Sequence, residues 1–411
     1  MMKYFLLLGD GMADYPIEQL GKRTILDVAN KPLMDQLACK AELGLVKTVP
    51  DHLNPPGSDI ANMSVLGYDP DVYYTGRSPL EAASMGITMN PSDLALRCNI
   101  VTLSSDEPYE NKTMVDYSSD EITTAESTVL INYLKEHLAT DSIHYYPGIS
   151  YRHCVIMNDI PNGYDMVFTP PHDITTKKVT DYLPKGKDSG ILLDMMKKSY
   201  DLLKDHPINK DRISRGLNPA NSIWFWGNGR KPGFDNFYEK YHIKGAVVSA
   251  VDLLKGMGIV AGMKSIDVPG ATGNISTNFH GKAQAAINFL KNEGDFVYVH
   301  VEAPDECGHR NELDNKIKSV EYLDKLVLEP VYKALCQMRE NGECDGFRIM
   351  ILPDHPTPIS LRTHTHDAVP YMIYDSENEK VSGYNCYTES SCKNSKVYIE
   401  KGYTLMDKFL S

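Results

Sequence analysis

Three short apolar runs in this chain each deliver an aspartate. Tyr4–Leu8 passes through Gly9 to Asp10, Phe296–Val301 leads to Asp305, and Phe347–Leu352 passes through Pro353 to Asp354. Runs of this length bounded by turn signals read as strands buried on both faces, as in a parallel sheet covered by helices. Ligands of such sheets bind beyond the carboxyl ends of the strands. Parallel strands would therefore gather three carboxylates that are far apart in sequence. One aspartate after a strand is ordinarily a turn residue or a helix cap. Three of them beside histidines do not fit that reading. His309 follows Asp305 by four positions, His355 follows Asp354 directly, and His364 and His366 come just before Val369-Pro370. Carboxylates with imidazoles suit manganese or zinc better than calcium, which prefers all-oxygen shells. His52, His172, His206, His242 and His280 stand apart from such patterns and read as surface or core residues.

Ser58 lies in Pro55-Pro56-Gly57-Ser58-Asp59-Ile60-Ala61-Asn62. Local sequence favours a helix N-cap, the common job of a serine after a Pro-Gly turn. The same geometry puts a hydroxyl beside free backbone N–H groups that can hold phosphoryl oxygens. A serine hydroxyl is a weak nucleophile until a metal or a base activates it. Beside the metal-type residues, the nucleophile is the better reading.

Apolar runs alternate with amphipathic stretches, the α/β pattern. Tyr371–Tyr374 adds a fourth strand. Helices are expected at Leu33–Ala41, Ala246–Met257, Gly281–Lys291 and Lys316–Arg339. The middle differs. It has shorter apolar runs (Leu96–Leu103, His153–Met157), turn-rich stretches (Ser104–Lys112, Asp159–Asp165) and helical patterns at Thr124–Leu138 and Gly190–Leu203. This predicts a smaller α+β domain at 91–215, inserted into a discontinuous domain of 1–90 and 216–411.

With 411 residues, 42% hydrophobic, a sizeable core is available. A net charge of -13 argues against nucleic acid or an anionic membrane as partner. An anionic substrate would then need a local cationic site, which bound metal ions supply. The Tyr4–Leu8 run is too short for an export signal or a membrane span, and the eight cysteines form no CxxC pair. A cytoplasmic protein with reduced thiols is expected.

Many segments of the chain resemble the cofactor-independent phosphoglycerate mutases, in the archaeal-type branch also found in bacteria, members of the alkaline phosphatase superfamily. The resemblance runs nearly end to end. It is carried by Gly9-Asp10-Gly11-Met12-Ala13, Pro56-Gly57-Ser58-Asp59-Ile60-Ala61-Asn62, Tyr74-Thr75-Gly76-Arg77-Ser78-Pro79-Leu80-Glu81-Ala82, Arg97-Cys98-Asn99 and Tyr151-Arg152-His153. Further on come His300-Val301-Glu302-Ala303-Pro304-Asp305, Pro353-Asp354-His355-Pro356-Thr357-Pro358 and His364-Thr365-His366-Asp367-Ala368-Val369-Pro370.

The resemblance implies an alkaline-phosphatase-like, mostly parallel sheet flanked by helices, with the smaller domain inserted. It implies two divalent metal ions, manganese first, with zinc, magnesium or cobalt as alternatives. One would be held by Asp10, Ser58, Asp354 and His355, the other by Asp305, His309 and His364. His364 is preferred to His366 because the family's ligand opens the His-Ser/Thr-x-Asp-x-Val-Pro pattern. Ser58 would take the phosphate of 3-phosphoglycerate and return it to the 2-hydroxyl, a glycolytic step that needs no added 2,3-bisphosphoglycerate. The inserted domain would close over glycerate. Arg77, Arg97, Arg152 and His153 would grip phosphate or carboxylate, a task suited to arginine forks.

One segment departs from the pattern. Asp116-Tyr117-Ser118-Ser119-Asp120-Glu121 stands where family members usually carry Asp-x-x-Ala-Gly-Arg or Asp-Tyr-Ser-Ala-Gly-His. A basic group is lost and two acids appear, which would favour an acceptor bearing an ammonium group. Tyr145–His153 and Asp181–Gly186 are similar to a bacterial subgroup proposed to phosphorylate homoserine. The alternative functions are therefore phosphotransfer to homoserine or to water, and, from another class, metal binding without catalysis. The last would call for loss of Ser58 or of a ligand, and all are present.

Overall fold

The computed structural model describes residues 1–160 and 165–411, so the turn-rich stretch expected at Asp159–Asp165 lies partly outside the described residues. The strands are β1 (Met2–Gly9), β2 (Glu42–Val46), β3 (Leu94–Leu103), β4 (Met114–Asp116), β5 (Ile143–Tyr146), β6 (Arg152–Met157), β7 (Ser222–Arg230), β8 (Gly245–Val248), β9 (Lys264–Ile266), β10 (Phe296–Val301), β11 (Gly346–Leu352), β12 (Val369–Asp375) and β13 (Tyr398–Ile399).

Eight of them form one mixed sheet in the order β13-β2-β12-β11-β1-β10-β8-β9. Its centre is parallel. β1 lies between β10 and β11, with Leu8 opposite Leu352 and Gly9 opposite Val301. Six consecutive residues of β1 and all of β10 are buried, as apolar runs without alternation require. Toward the β13 edge the sheet turns antiparallel at β11–β12 and β12–β2. Helices Phe279–Asn292 and Glu329–Glu340 bury Ala283, Ala286, Leu290, Val331 and Leu335 in the core that covers this sheet.

The chain divides into two compact units, Met1–Tyr74 with Gly233–Ser411, and Thr75–Pro232. The first holds the eight-stranded sheet. The second holds an antiparallel sheet, β4-β3-β6-β5, with β7 also paired to β3. It is wider than the 91–215 span expected from sequence, for a physical reason at each end. Helix Ser78–Ser84 buries Ala82 against Ala95, Cys154 and Ile156, and β7 supplies the ladder partner of β3 from Leu94 to Val101.

Two helix expectations need correction. Ala246–Met257 is not one helix: Gly245–Val248 is strand β8 and the helix begins at Asp252. Lys316–Arg339 is a helix (Leu313–Tyr322), a π-helical turn (Leu323–Leu328) and a second helix from Glu329. Pro330, which lacks an N–H and cannot continue an α ladder, stands second in the helix that follows the turn. Within the turn, Asp324 is buried and accepts from the N–H groups of Leu33 and Met34 at 3.2 and 2.7 Å. A carboxylate at the start of helix Pro32–Ala38 is the charge that a helix N-terminus favours.

Candidate metal centre and anion grip

The parallel register explains why the candidate ligands meet. Asp10 follows β1, Asp354 follows β11, and Asp305 sits in the first turn of helix Ala303–Arg310, which follows β10. Asp305 and His309 are four apart on that helix, one above the other on one face. Ser58 is the first residue of helix Ser58–Val65. Gly57 occupies the N-cap, so the hydroxyl does no capping. Ser58 Oγ instead lies 3.0 Å from His355 Nε2. That nitrogen is 3.3 Å from Asp354 Oδ2 and 3.7 Å from Asp10 Oδ1. Asp10, Asp354 and His355 thus form one group with metal-ligand spacing, and Asp305, His355 and His364 a second.

Hydrogen bonds fix the imidazole tautomers. His309 Nδ1 faces the Arg362 carbonyl at 2.9 Å and His364 Nδ1 faces the Pro56 carbonyl at 3.0 Å. A carbonyl only accepts, so both Nδ1 atoms carry protons. The two Nε2 atoms then face each other at 2.9 Å, with Asp305 oxygens at 3.2 and 3.4 Å. Two lone pairs and a carboxylate pointing into one space call for a cation. The Asp305 carboxylate favours positive charge here, and it pushes the pKa of His309 up to about 9. Asp10 gives the same message. Its Oδ1 is buried and, among the described residues, has no hydrogen-bond partner. Burial, together with the charges of Asp354 and Asp305, pushes its carboxyl well above the usual range. An anion that cannot keep its charge among other anions fits a site for a divalent ion.

A supporting layer orients these groups, and sequence reading assigned it no role. Asn62 donates to Asp354 Oδ2 and to the Ser58 carbonyl, both at 2.8 Å. Tyr298 donates to Asn62 Oδ1. His300, wholly buried in β10, lies 2.8 Å from Asp10 Oδ2 through Nε2 and 3.0 Å from Ser249 Oγ through Nδ1. Burial depresses its pKa to about 3, so the ring is neutral and Nε2–H donates to Asp10. Thr357 donates to Asp305 and lies 3.3 Å from His355 Nδ1. Lys316 spans Asp14 Oδ2 and the Thr357 carbonyl, each at 2.7 Å, in a buried pair that pins the loop after His355. Removing one member of such a pair typically costs about 3–5 kcal/mol. A signal for this layer existed in sequence: two polar rings, Tyr298 and His300, inside an otherwise apolar strand. His366 belongs elsewhere, its Nε2 bonding the Leu53 carbonyl at 2.9 Å.

The second unit gathers cations. Arg77 Nε donates to Glu81 Oε1 at 2.7 Å, and Arg97 Nε pairs with Glu81 Oε2 at 3.0 Å. Arg152 is close enough for its charge to lower the pKa values of both Glu81 and Arg97. The Arg97 guanidinium stacks 4.2 Å above the Trp226 ring. His153 does not join them. It pairs with Cys98 in the β3–β6 ladder while Arg97 pairs with Cys154, so by alternation it points to the other face of the sheet. There its Nδ1 accepts from the Gly148 N–H at 3.0 Å. Asp120 accepts from the Asn218 backbone and side chain at 2.6 and 3.0 Å. It sits in a turn in which Ser119, Asp120 and Glu121 all have positive φ, and Arg212 braces that turn through the Ser119 carbonyl.

Fold and ligand set together define a divalent-metal-dependent α/β enzyme. The family model described as 2,3-bisphosphoglycerate-independent phosphoglycerate mutase matches residues 38–209, and a protein of that name from Methanosarcina acetivorans is 48% identical over 406 residues, 98% of each chain. The chain belongs to the 2,3-bisphosphoglycerate-independent phosphoglycerate mutase family. A probable mutase of the same name from Geobacter sulfurreducens is 44% identical over 409 residues, the full length of both. Among solved structures, the cofactor-independent phosphoglycerate mutase of Thermoplasma acidophilum superposes with a TM-score of 0.67 at 25% identity, covering 100% of this chain and 99% of that one. A Pyrococcus horikoshii protein superposes with a TM-score of 0.81 at 27% identity, covering 100% and 96%. Among the described residues, no helix is long and apolar enough to cross a membrane.

Proposed function

We propose that the protein interconverts 3- and 2-phosphoglycerate through a phosphoserine on Ser58, without added 2,3-bisphosphoglycerate. The observation that carries the reading is the Ser58 hydroxyl, which caps no helix and lies 3.0 Å from His355 Nε2, beside carboxylates and imidazoles with metal-ligand spacing. Ser58 Oγ attacks phosphorus. The bond from phosphorus to the 3-oxygen breaks and that oxygen takes a proton. The 2-hydroxyl then attacks, the bond to Oγ breaks and Ser58 regains its proton. Asp10, Ser58, Asp354 and His355 would hold one divalent ion, and Asp305, His309 and His364 a second. When bound, such ions lower the proton affinity of the hydroxyl and neutralise phosphoryl oxygens. Manganese or zinc suits these mixed carboxylate and imidazole donors, with cobalt or magnesium as alternatives. Arg77, Arg97 and Arg152 would bind the phosphate or carboxylate of the substrate. The reaction belongs to glycolysis, and a cytoplasmic setting follows from that role.

Phosphotransfer to homoserine draws its support from Asp120 and Glu121, expected to meet an ammonium group, and from the likeness at Tyr145–His153 and Asp181–Gly186. The Asp120 carboxylate accepts from the backbone and side chain of Asn218, which weakens the first of these supports. The test is a side-by-side assay at equal manganese with 3-phosphoglycerate, ATP plus homoserine, and p-nitrophenyl phosphate. The mutase reading requires 3-phosphoglycerate to be turned over fastest. Efficient phosphorylation of homoserine with no mutase activity would replace it.

A further inference from the structure

We propose that Glu81 is a positioning residue for substrate binding: its single carboxylate sets the guanidinium groups of Arg77 and Arg97 so that they receive the anionic group of a phosphoglycerate. This rests on the mutase reading. Glu81 and Arg77 lie four apart at the start of helix Ser78–Ser84, which places both side chains over one face of the sheet. The carboxylate divides its oxygens, Oε1 to Arg77 Nε and Oε2 to Arg97 Nε. Burial alone would raise the Glu81 carboxyl, but Arg97 and Arg77 outweigh it and hold it below the usual range, so it stays charged.

Arg97 is the more telling partner. Its side chain is only 13% exposed. One face rests on Trp226, whose own Nε1–H is tied to Asn99 Oδ1 at 2.9 Å. Its Nε edge is turned to Glu81. Among the described residues, no acceptor is within hydrogen-bond geometry of its Nη nitrogens. A half-sequestered guanidinium with idle donors is costly unless something supplies an acceptor. Carboxylate and phosphate both match that fork. Indole and carboxylate together leave the guanidinium one orientation, the condition for a site that binds without reorganising. A mere counter-ion could sit on either side of the arginines. Glu81 instead takes the Nε edge of both.

The test is steady-state kinetics with 3-phosphoglycerate for wild type, Glu81→Gln, Arg97→Lys and the double variant, with metal content and melting temperature measured in parallel. Glu81→Gln should raise KM about tenfold or more, with kcat within about threefold and metal content unchanged. In the Arg97→Lys background the same change should raise KM by clearly less than in wild type, because the part of its effect that acts through Arg97 is already lost and only the part through Arg77 remains. A KM within twofold of wild type, or equal losses in the two backgrounds, overturns the proposal. If Glu81→Gln is insoluble, Glu81→Asp reads the same quantity: the shorter arm reaches one arginine, so KM rises several-fold, and an unchanged KM overturns the proposal. A wild type inactive on 3-phosphoglycerate but fully loaded with metal would overturn the mutase reading, and this inference with it. An active wild type with an indifferent Glu81 would overturn this inference alone.

Discussion

The two units solve opposite electrostatic problems. In the first, Asp10, Asp305 and Asp354 converge from three parallel strands, and the charges of the other two help push the Asp10 carboxyl up. In the second, three arginines from a helix and an antiparallel ladder converge on Glu81. One cluster is built from carboxylates and imidazoles, the other from arginines around a single carboxylate. A parallel sheet collects groups at one end of its strands, so distant chain segments meet at a point. An antiparallel ladder collects groups across a face, so neighbours in register meet: Arg97 beside Trp226, Asn99 beside Arg152. The first arrangement suits an ion, the second a small molecule with spread-out charge.

Perturbing each cluster separately should therefore give different signatures. The largest effect should follow chelation. Activity should fall to background and return with manganese, and the melting temperature should drop by about 5–10 °C, because the ions would bind only the folded chain. Full activity in protein shown to be metal-free by elemental analysis would break the contrast. Next, Ser58→Ala should lower turnover on the order of a thousandfold while leaving the binding of 3-phosphoglycerate measurable by calorimetry. More than a tenth of the wild-type rate would remove Ser58 from the chemistry. Arg97→Ala should do the reverse, raising KM roughly ten- to a hundredfold with metal content intact; a loss of bound metal would show that the clusters are not independent.

Finer still is the pair His364→Ala and His366→Ala. The first should weaken metal affinity about tenfold or more and the second less than about twofold, because His366 already spends Nε2 on Leu53. The reverse ranking in equilibrium dialysis would reassign the ligand.

The smallest effect concerns Asp324. Burial raises its carboxyl to about 6, against roughly 4 in an unfolded chain. Below pH 4 both states hold the proton and its contribution to stability is complete. As pH rises toward 6 the unfolded chain releases that proton first, and stability is lost. Asp324→Asn should therefore stabilise the protein by roughly 1–2 kcal/mol at pH 7.5 and by little at pH 4, read by urea unfolding. Equal effects at both pH values would refute the assignment.

Sequence alone revealed what repeats a pattern and missed what depends on partners. β10 was legible to the residue because it is a short run buried on both faces, and the three converging aspartates were legible because each follows such a run. Ala246–Met257 misled because a buried strand and a helix abut with only Ser249, Ala250 and Val251 between them, and apolar content does not separate them. Ser222–Arg230 was assigned to the wrong unit, since nothing local says that its ladder partner lies near residue 97. His300 escaped notice because a histidine inside a strand looks like any core residue until Asp10 is seen beside it.

The central place of β1 also has a consequence during synthesis. Its hydrogen-bonding partners lie beyond residue 295, so at about 5–20 residues per second they reach it only after some 15–60 s of translation. Until then the Phe5–Leu8 segment has nothing to pair with. The ladders among β3, β6 and β7, by contrast, are all present once residue 230 has emerged. On ribosomes stalled near residue 290, the segment 75–232 should already resist protease while the first ten residues remain open to a chaperone. Protection of both at that length would show that the nascent amino terminus finds another shelter.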